Sequence, residues 1–129
     1  MKRSASMDKV VIDGKSLFGR TAYISREGGN GLVMVTVSKD SPDVAVMHDL
    51  IVHENMRGNG LGDRLVDDAI EEAGKLGADR LRLSVEPLTW TEEWYERRGF
   101  MFTGFKHLFG QLCSIWEKDI TRREPSEPQ

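Results

Sequence analysis

The sequence lacks the staples that hold many small domains together. Cys113 is the single cysteine among 129 residues, so no disulfide can form within the chain. One cysteine and three histidines are too few soft ligands for a structural zinc site, and no metal is expected. No run of 18 apolar residues occurs, which argues against a membrane span. Residues 1–16 contain no continuous apolar stretch, so no secretory leader is expected. A cationic excess is missing as well. Eighteen Lys and Arg stand against 21 Asp and Glu, for a net charge of −3, which leaves no general footprint for nucleic acid. What is present is enough for a core. Hydrophobic residues make up 39% and glycines number 13, and a chain of this mass buries roughly two-thirds of its unfolded surface. These features predict a soluble, single-domain protein of a reducing, cytoplasmic compartment.

Residues 1–8 are polar and are expected to form a flexible arm. Residues 121–129, polar and proline-containing, are expected to be a disordered tail, leaving 9–120 as one domain. Strands are predicted at 10–12, within 17–25, at 32–38 (LVMVTVS) and at 44–53 (VAVMHDLIVH). Asp13-Gly14 is a dipeptide that favours a two-residue hairpin turn. Glycine-rich 27–31 and Pro42-containing 39–43 supply the next two turns. The apolar residues of 44–53 fall on both parities, as in a central strand covered on both faces.

The period then becomes helical over 63–76. Leu61, Leu65, Ala69 and Ala73 form one stripe with Val66 and Ile70 beside it. Asp63, Asp67, Asp68, Glu71, Glu72 and Lys75 are assigned to the other side, and Gly77 is the expected stop. Residues 80–86 alternate as a strand that Pro87 closes. A short helix follows over 89–98, with Thr89 or Thr91 as N-cap and Glu92 and Glu93 in its first turn. Residues 100–105 and 112–117 make a final antiparallel pair. The order β-β-β-β-α-β-α-β-β is that of an α+β, or mixed α/β, domain.

The passage from strand to glycine-rich turn to helix carries the chemistry. Gly58, Gly60 and Gly62 let a ligand approach the backbone closely, and a helix start leaves N–H groups unpaired. With the helix's partial positive charge, this makes a site for a phosphate or diphosphate. A P-loop needs Gly-Lys-Ser/Thr, yet Asp63 follows Gly62. A dinucleotide fingerprint needs a leading βαβ unit, yet antiparallel strands are predicted before this turn. The alternative is a glycine-rich connection that holds nothing.

Arg57-Gly58-Asn59-Gly60-Leu61-Gly62 resembles the Arg/Gln-x-x-Gly-x-Gly/Ala signature of the Gcn5-related N-acetyltransferases, the GNAT family. Asp49-Leu50-Ile51-Val52 precedes it at the family's spacing. Trp94-Tyr95-Glu96-Arg97-Arg98-Gly99-Phe100 resembles the later Phe-Tyr-x-x-x-Gly-Phe segment. The resemblance implies a mostly antiparallel sheet splayed at its central strand, with acetyl-CoA as cosubstrate. It implies backbone contacts from Leu50, Ile51 and Val52 to the pantetheine arm. It implies a diphosphate on the amides of Gly58, Asn59, Gly60, Leu61, Gly62 and Asp63, with Arg57 opening the motif. A bulge would aim the N–H of Leu50 or Ile51 at the thioester oxygen. Leu61 and Asn59 are expected to serve packing and the turn.

Tyr95 stands at the position of the family's general acid, or is an aromatic residue packed beside Trp94 and Phe100. His48 stands where a family subset carries a glutamate base, or is a hydrogen-bonded strand histidine. Asp49 and Glu86 are alternatives to it or could bind a cationic amine. His53 and Glu54 are assigned to a solvated strand end, His107 to a loop, Cys113 to a small buried strand position, and Arg97 and Arg98 to an exposed helix end. Two departures stand out. Leu88 replaces an asparagine that often contacts the coenzyme. The pair of helices that usually follows the first strand has no room here. The acceptor groove is therefore expected to be open to a bulky acceptor (protein, peptide or modified nucleic acid), or closed by a second copy in a homodimer. The predicted activity is acetyl transfer to a primary amine by direct attack, with a non-catalytic coenzyme-binding or protein-interaction module as the alternative.

Overall fold

The computed structural model describes residues 9–121. The expected arm, and all of the expected tail but Thr121, lie outside them. Seven strands and two helices follow one another as β1 (Lys9–Ser16), β2 (Gly19–Arg26), β3 (Gly31–Ser38), β4 (Ser41–Val52), α1 (Leu61–Lys75), β5 (Arg80–Val85), α2 (Trp90–Glu96), β6 (Met101–Leu108) and β7 (Gln111–Asp119). They form one sheet in the order β1-β2-β3-β4-β5-β7-β6. Every pairing is antiparallel except β4 with β5. That parallel pair is short. It joins Val44–Val46 to Arg80–Arg82 and then parts, although β4 runs on to Val52 and β5 to Val85. The sheet is thus split at its centre, as the sequence resemblance implied.

Helix α1 lies on one face. Its stripe of Leu61, Leu65, Val66, Ala69 and Ala73 is buried against Ile24, Val33, Val35, Ala45 and Met47. Each large side chain so buried contributes about 1.5–3 kcal/mol. On the far side of the split, Leu81, Leu83, Tyr95, Phe100 and Trp116 continue the same core. The opposite face of β1–β4 carries Val10, Ile12, Tyr23, Leu32 and Ile51, all exposed, and no helix covers it among the described residues.

The hairpin expected at Asp13-Gly14 is displaced. Asp13 pairs with Ala22 and Gly14 with Thr21, and the chain reverses at Leu17-Phe18. There Ser16 Oγ accepts from the Phe18 amide at 3.1 Å, and the Phe18 carbonyl accepts from the Lys39 amide at 3.0 Å. Gly19 then passes so close to β3 that a Cβ would stand 2.1 Å from the Val37 carbonyl oxygen. Tertiary contact with β3 therefore outweighs the local preference of Asp-Gly. With only two residues between β1 and β2, the usual first helix pair is absent from the described residues. Three smaller placements also differ. Pro42 lies inside β4, His107 lies in β6, and α1 begins at Leu61.

Asp68 and Glu72 correct a larger expectation. Both are 5% exposed, on the sheet-facing side of α1. Arg26 grips Asp68 with two donors, Nε at 2.6 Å and Nη2 at 3.0 Å. Lys9 Nζ lies 3.3 Å from Glu72 and 3.7 Å from Asp68. Burial alone would lower the Lys9 pKa, but the Glu71, Asp68 and Glu72 carboxylates outweigh it and raise it.

Candidate active site

The glycine turn is built in steps after β4. A single 3-10 turn, Glu54–Met56, follows the strand, and His53 Nδ1 accepts from the Asn55 amide at 3.2 Å. His53 is thus an exposed cap of that turn, as a solvated strand end requires. Arg57 folds back to donate from Nε to the Val52 carbonyl at 3.2 Å. Gly58 (φ 84°) and Gly60 (φ 80°) then take left-handed conformations that side chains resist. Gly60 is the N-cap of α1, and its carbonyl accepts the first helical bond, from Arg64. Among the described residues, the amides of residues 58–63 donate to no turn, cap or side-chain acceptor. All of these residues but Asn59 border a cleft of about 710 Å³ whose walls are Leu50–Val52, the glycine turn, and Trp90, Thr91, Trp94 and Tyr95 of α2. A cleft of this volume, walled by apolar residues and ending on free amides at a helix start, fits a coenzyme diphosphate with an extended arm. No cluster of three or more metal-ligating side chains occurs among the described residues.

A bulge marks the edge of the split. His48 opposes Met34 and Ile51 opposes Leu32, so Asp49 and Leu50 together face the single residue Val33. Asp49 takes φ 54°, a left-handed conformation that asparagine and aspartate tolerate best among residues with side chains. Beyond it, Leu50 and Val52 turn toward the α1 side and pack on the core.

A second cavity, of about 280 Å³, opens between the diverging β4 and β5. His48, Asp49, Glu86 and Tyr95 all line it. Leu50, Thr91 and Tyr95 line both cavities, so the two spaces meet there. Tyr95 is buried, edge-on to Trp94 (centroids 5.0 Å apart) and Phe100 (5.4 Å). Burial pushes its phenol pKa up to about 12, against a smaller downward pull from Arg98. His48 is half-buried, with Nε2 3.0 Å from Thr36 Oγ1. Burial lowers its pKa below 6.5 and the Asp49 carboxylate opposes that shift. The packed aromatic and the bonded strand histidine are therefore both real, and both side chains also face the cavity.

The acetyltransferase (GNAT) family model matches residues 13–100, well over half of the chain. The chain belongs to the GNAT family. Solved structures share its fold. A GNAT acetyltransferase from Elizabethkingia anophelis with acetyl-CoA bound is similar at a TM-score of 0.67 and 11% identity, over 87% of this chain and 98% of that one. A Bacillus subtilis acetyltransferase in complex with CoA is similar at 0.64 and 21%, over 78% and 76%. Nourseothricin acetyltransferase is similar at 0.65 and 21%, over 88% and 85%. No curated protein sequence matches the chain. It is an acetyl-CoA-dependent acetyltransferase of this family. No helix among its described residues is long and apolar enough to cross a membrane.

Within this GNAT domain the structure adds residues that the motifs did not flag. Met56, Trp90, Thr91 and Trp94 line the larger cleft, and Trp94 presses on the turn, where a Cβ on Gly62 would stand 3.4 Å from its ring. Trp90 and Trp94 recur one helical turn apart beside Tyr95, a spacing that could have marked them as one wall. Asn59 is exposed and Leu61 buried, as turn and packing roles require. Leu88 is 96% exposed and borders neither cavity. Its amide donates to Glu92 Oε1 at 2.9 Å and helps to start α2. Cys113 is half-buried and lines a further space beside β4, β5, β6 and β7, which shares His48 and Glu86 with the smaller cavity. Arg98 is no exposed helix end. Its guanidinium lies 3.5 Å from the Trp94 ring centroid and pairs with Asp63.

Proposed function

We propose that this GNAT enzyme moves an acetyl group from acetyl-CoA to a primary amine by direct attack, with Tyr95 as general acid and His48 as general base. The observation that carries this reading is the meeting of the two cavities at Leu50, Thr91 and Tyr95. When bound, acetyl-CoA supplies an activated thioester. The amides of residues 58–63 hold its diphosphate, with Arg57 at the mouth. Leu50, Ile51 and Val52 offer a strand edge to its arm, and the bulge at Asp49 and Leu50 aims the N–H of Leu50 or Ile51 at the thioester oxygen. Tyr95 donates at the sulfur. His48 takes the proton of the incoming ammonium, and Asp49 and Glu86 attract it into the smaller cavity. The two-residue link between β1 and β2 leaves the acceptor side unroofed, which favours a bulky acceptor or closure by a second copy.

The test pairs thermal shift with acetyl-CoA and thiol release across amino acids, polyamines, amino sugars and lysine peptides. Stabilisation with turnover of an amine supports the enzyme reading. Stabilisation without turnover on any amine supports a coenzyme-binding module instead.

The pH profile tests the base. Protonated His48 cannot accept a proton, so kcat/KM falls as pH drops through its folded pKa, which lies below 6.5. His48→Gln is expected to lower kcat/KM by about 10²-fold and to remove that acidic limb. A limb that persists in the variant assigns it to another group. Stability shares the sign. The unfolded chain binds this proton more tightly, so His48 costs stability as pH falls below 6.5.

A further inference from the structure

Asp63 is an odd neighbour for a diphosphate. It lies in the first turn of α1, lines the larger cleft, and its side chain is 55% exposed. A carboxylate there repels an anion at the site where the helix start should attract one. Arg98 sits against it. Both Nε and Nη2 meet Asp63 Oδ1, while Nη1 donates to the Trp94 carbonyl at 2.6 Å. Lys118 Nζ donates to the Arg98 carbonyl at 2.6 Å and ties that residue's backbone to β7. Of the other nearby cations, Arg64 lies 3.4 Å from Glu27, and Arg57 lines the cleft mouth.

We propose that Arg98 is a positioning residue that neutralises Asp63 and holds α2 against the glycine turn, so that the start of α1 accepts the coenzyme's diphosphate. This rests on reading residues 58–63 as the diphosphate cradle. The pair separates two functions that a bare lysine at position 63 would merge. The acid stays at the helix start, where it favours α1, and its charge is cancelled by a guanidinium behind the cleft wall. The preference for a diphosphate-bearing donor therefore depends on a residue outside the cleft, reached through Asp63 and the Trp94 ring.

Calorimetric affinities for CoA and for pantetheine, which lacks the diphosphate and the phosphorylated nucleoside beyond it, provide the test, and the change of their ratio between variants isolates the charge at the turn. The readout is their ratio in the wild type, Arg98→Gln, Asp63→Asn and the double variant, each checked for folding by melting. One uncompensated charge at a partly dry cleft changes anion affinity by about tenfold. Arg98→Gln should therefore lower the preference for CoA about tenfold, with pantetheine affinity nearly constant. Asp63→Asn should keep or raise the preference. The double variant should return to within about threefold of the wild type, since neither charge of the pair is left without its partner. A preference lost equally in Arg98→Gln and the double variant overturns the charge role and leaves packing alone. Weaker CoA binding by Asp63→Asn overturns it as well, even if Arg98→Gln does not fold. A high wild-type ratio that Arg98→Gln leaves unchanged removes only Arg98. A wild-type ratio near one removes the diphosphate cradle itself.

Discussion

Tyr95→Phe is expected to lower kcat by about 10²–10³-fold, the range in which a positioned acid contributes. The ring stays, and with it the edge contacts to Trp94 and Phe100, so melting should shift little. KM for acetyl-CoA should move less than about twofold, because the lost interaction belongs to the transition state. The phenol's pKa of about 12 sharpens the argument. A thiol is more acidic than this buried phenol, so complete proton transfer from Tyr95 to the departing thiolate runs uphill. What the phenol supplies is a short, dry hydrogen bond to the developing negative charge on sulfur. Two consequences can be measured. The rate should show no descending limb from Tyr95 at the ordinary phenol value near 10, because burial keeps the proton in place. Acceptors that make thiolate departure more rate-limiting should suffer more from the substitution. A variant with wild-type kcat would reduce Tyr95 to a core aromatic.

Much of this architecture is legible before any coordinates, because it rests on period and on glycine. The Leu61–Leu65–Ala69–Ala73 stripe and the breaks at Gly77 and Gly99 are local signals, and the structure follows them, whereas the mixed parity of β4 misleads about cover: the strand is central in the sheet, but Ile51 is exposed on its other face. The glycine turn is legible for the same reason, since left-handed Gly58 and Gly60 leave few alternatives. What sequence does not show is decided between elements. Asp-Gly at 13–14 is a good turn pair, yet the β2–β3 contact at Gly19 sets the reversal later. The bulge at Asp49 and Leu50 has no glycine to announce it. Only the register of β3 reveals it. Asp68, Glu72 and Arg98 look like surface charges because composition cannot display a partner 20 or more residues away. Arg26 and Lys9 come from the first two strands, and Asp63 from another helix. The site was most legible where the backbone acts and least legible where paired side chains hold the backbone in place.

Asp68→Ala is expected to destabilise the fold by about 3 kcal/mol, at the lower end of what breaking a buried ion pair costs. Asp68 receives two charge-assisted hydrogen bonds from Arg26, whose side chain is 16% exposed, and a longer approach from Lys9. Its removal leaves Arg26 and Lys9 near the core with Glu71 and Glu72, where solvent screens them only partly. For a domain of this size the melting temperature should fall by about 10 °C. Asp68→Asn keeps the shape and one acceptor oxygen and should cost about half as much. Glu71→Gln is the control. Its carboxylate is 57% exposed and pairs with Lys9 and Lys75 in water, so its loss should cost at most about 0.5 kcal/mol. The effect also reaches the active site. The Arg26–Asp68 pair fixes α1 to β2 at mid-helix, and the start of that helix supplies the free amides of the cleft. A folded Asp68→Asn enzyme should therefore bind CoA about threefold to tenfold more weakly, since a small misplacement of the turn is enough to lengthen several amide contacts at once. Equal losses of stability in Asp68→Ala and Glu71→Gln would mean that burial adds nothing to this pair, and α1 would then be held by its apolar stripe alone.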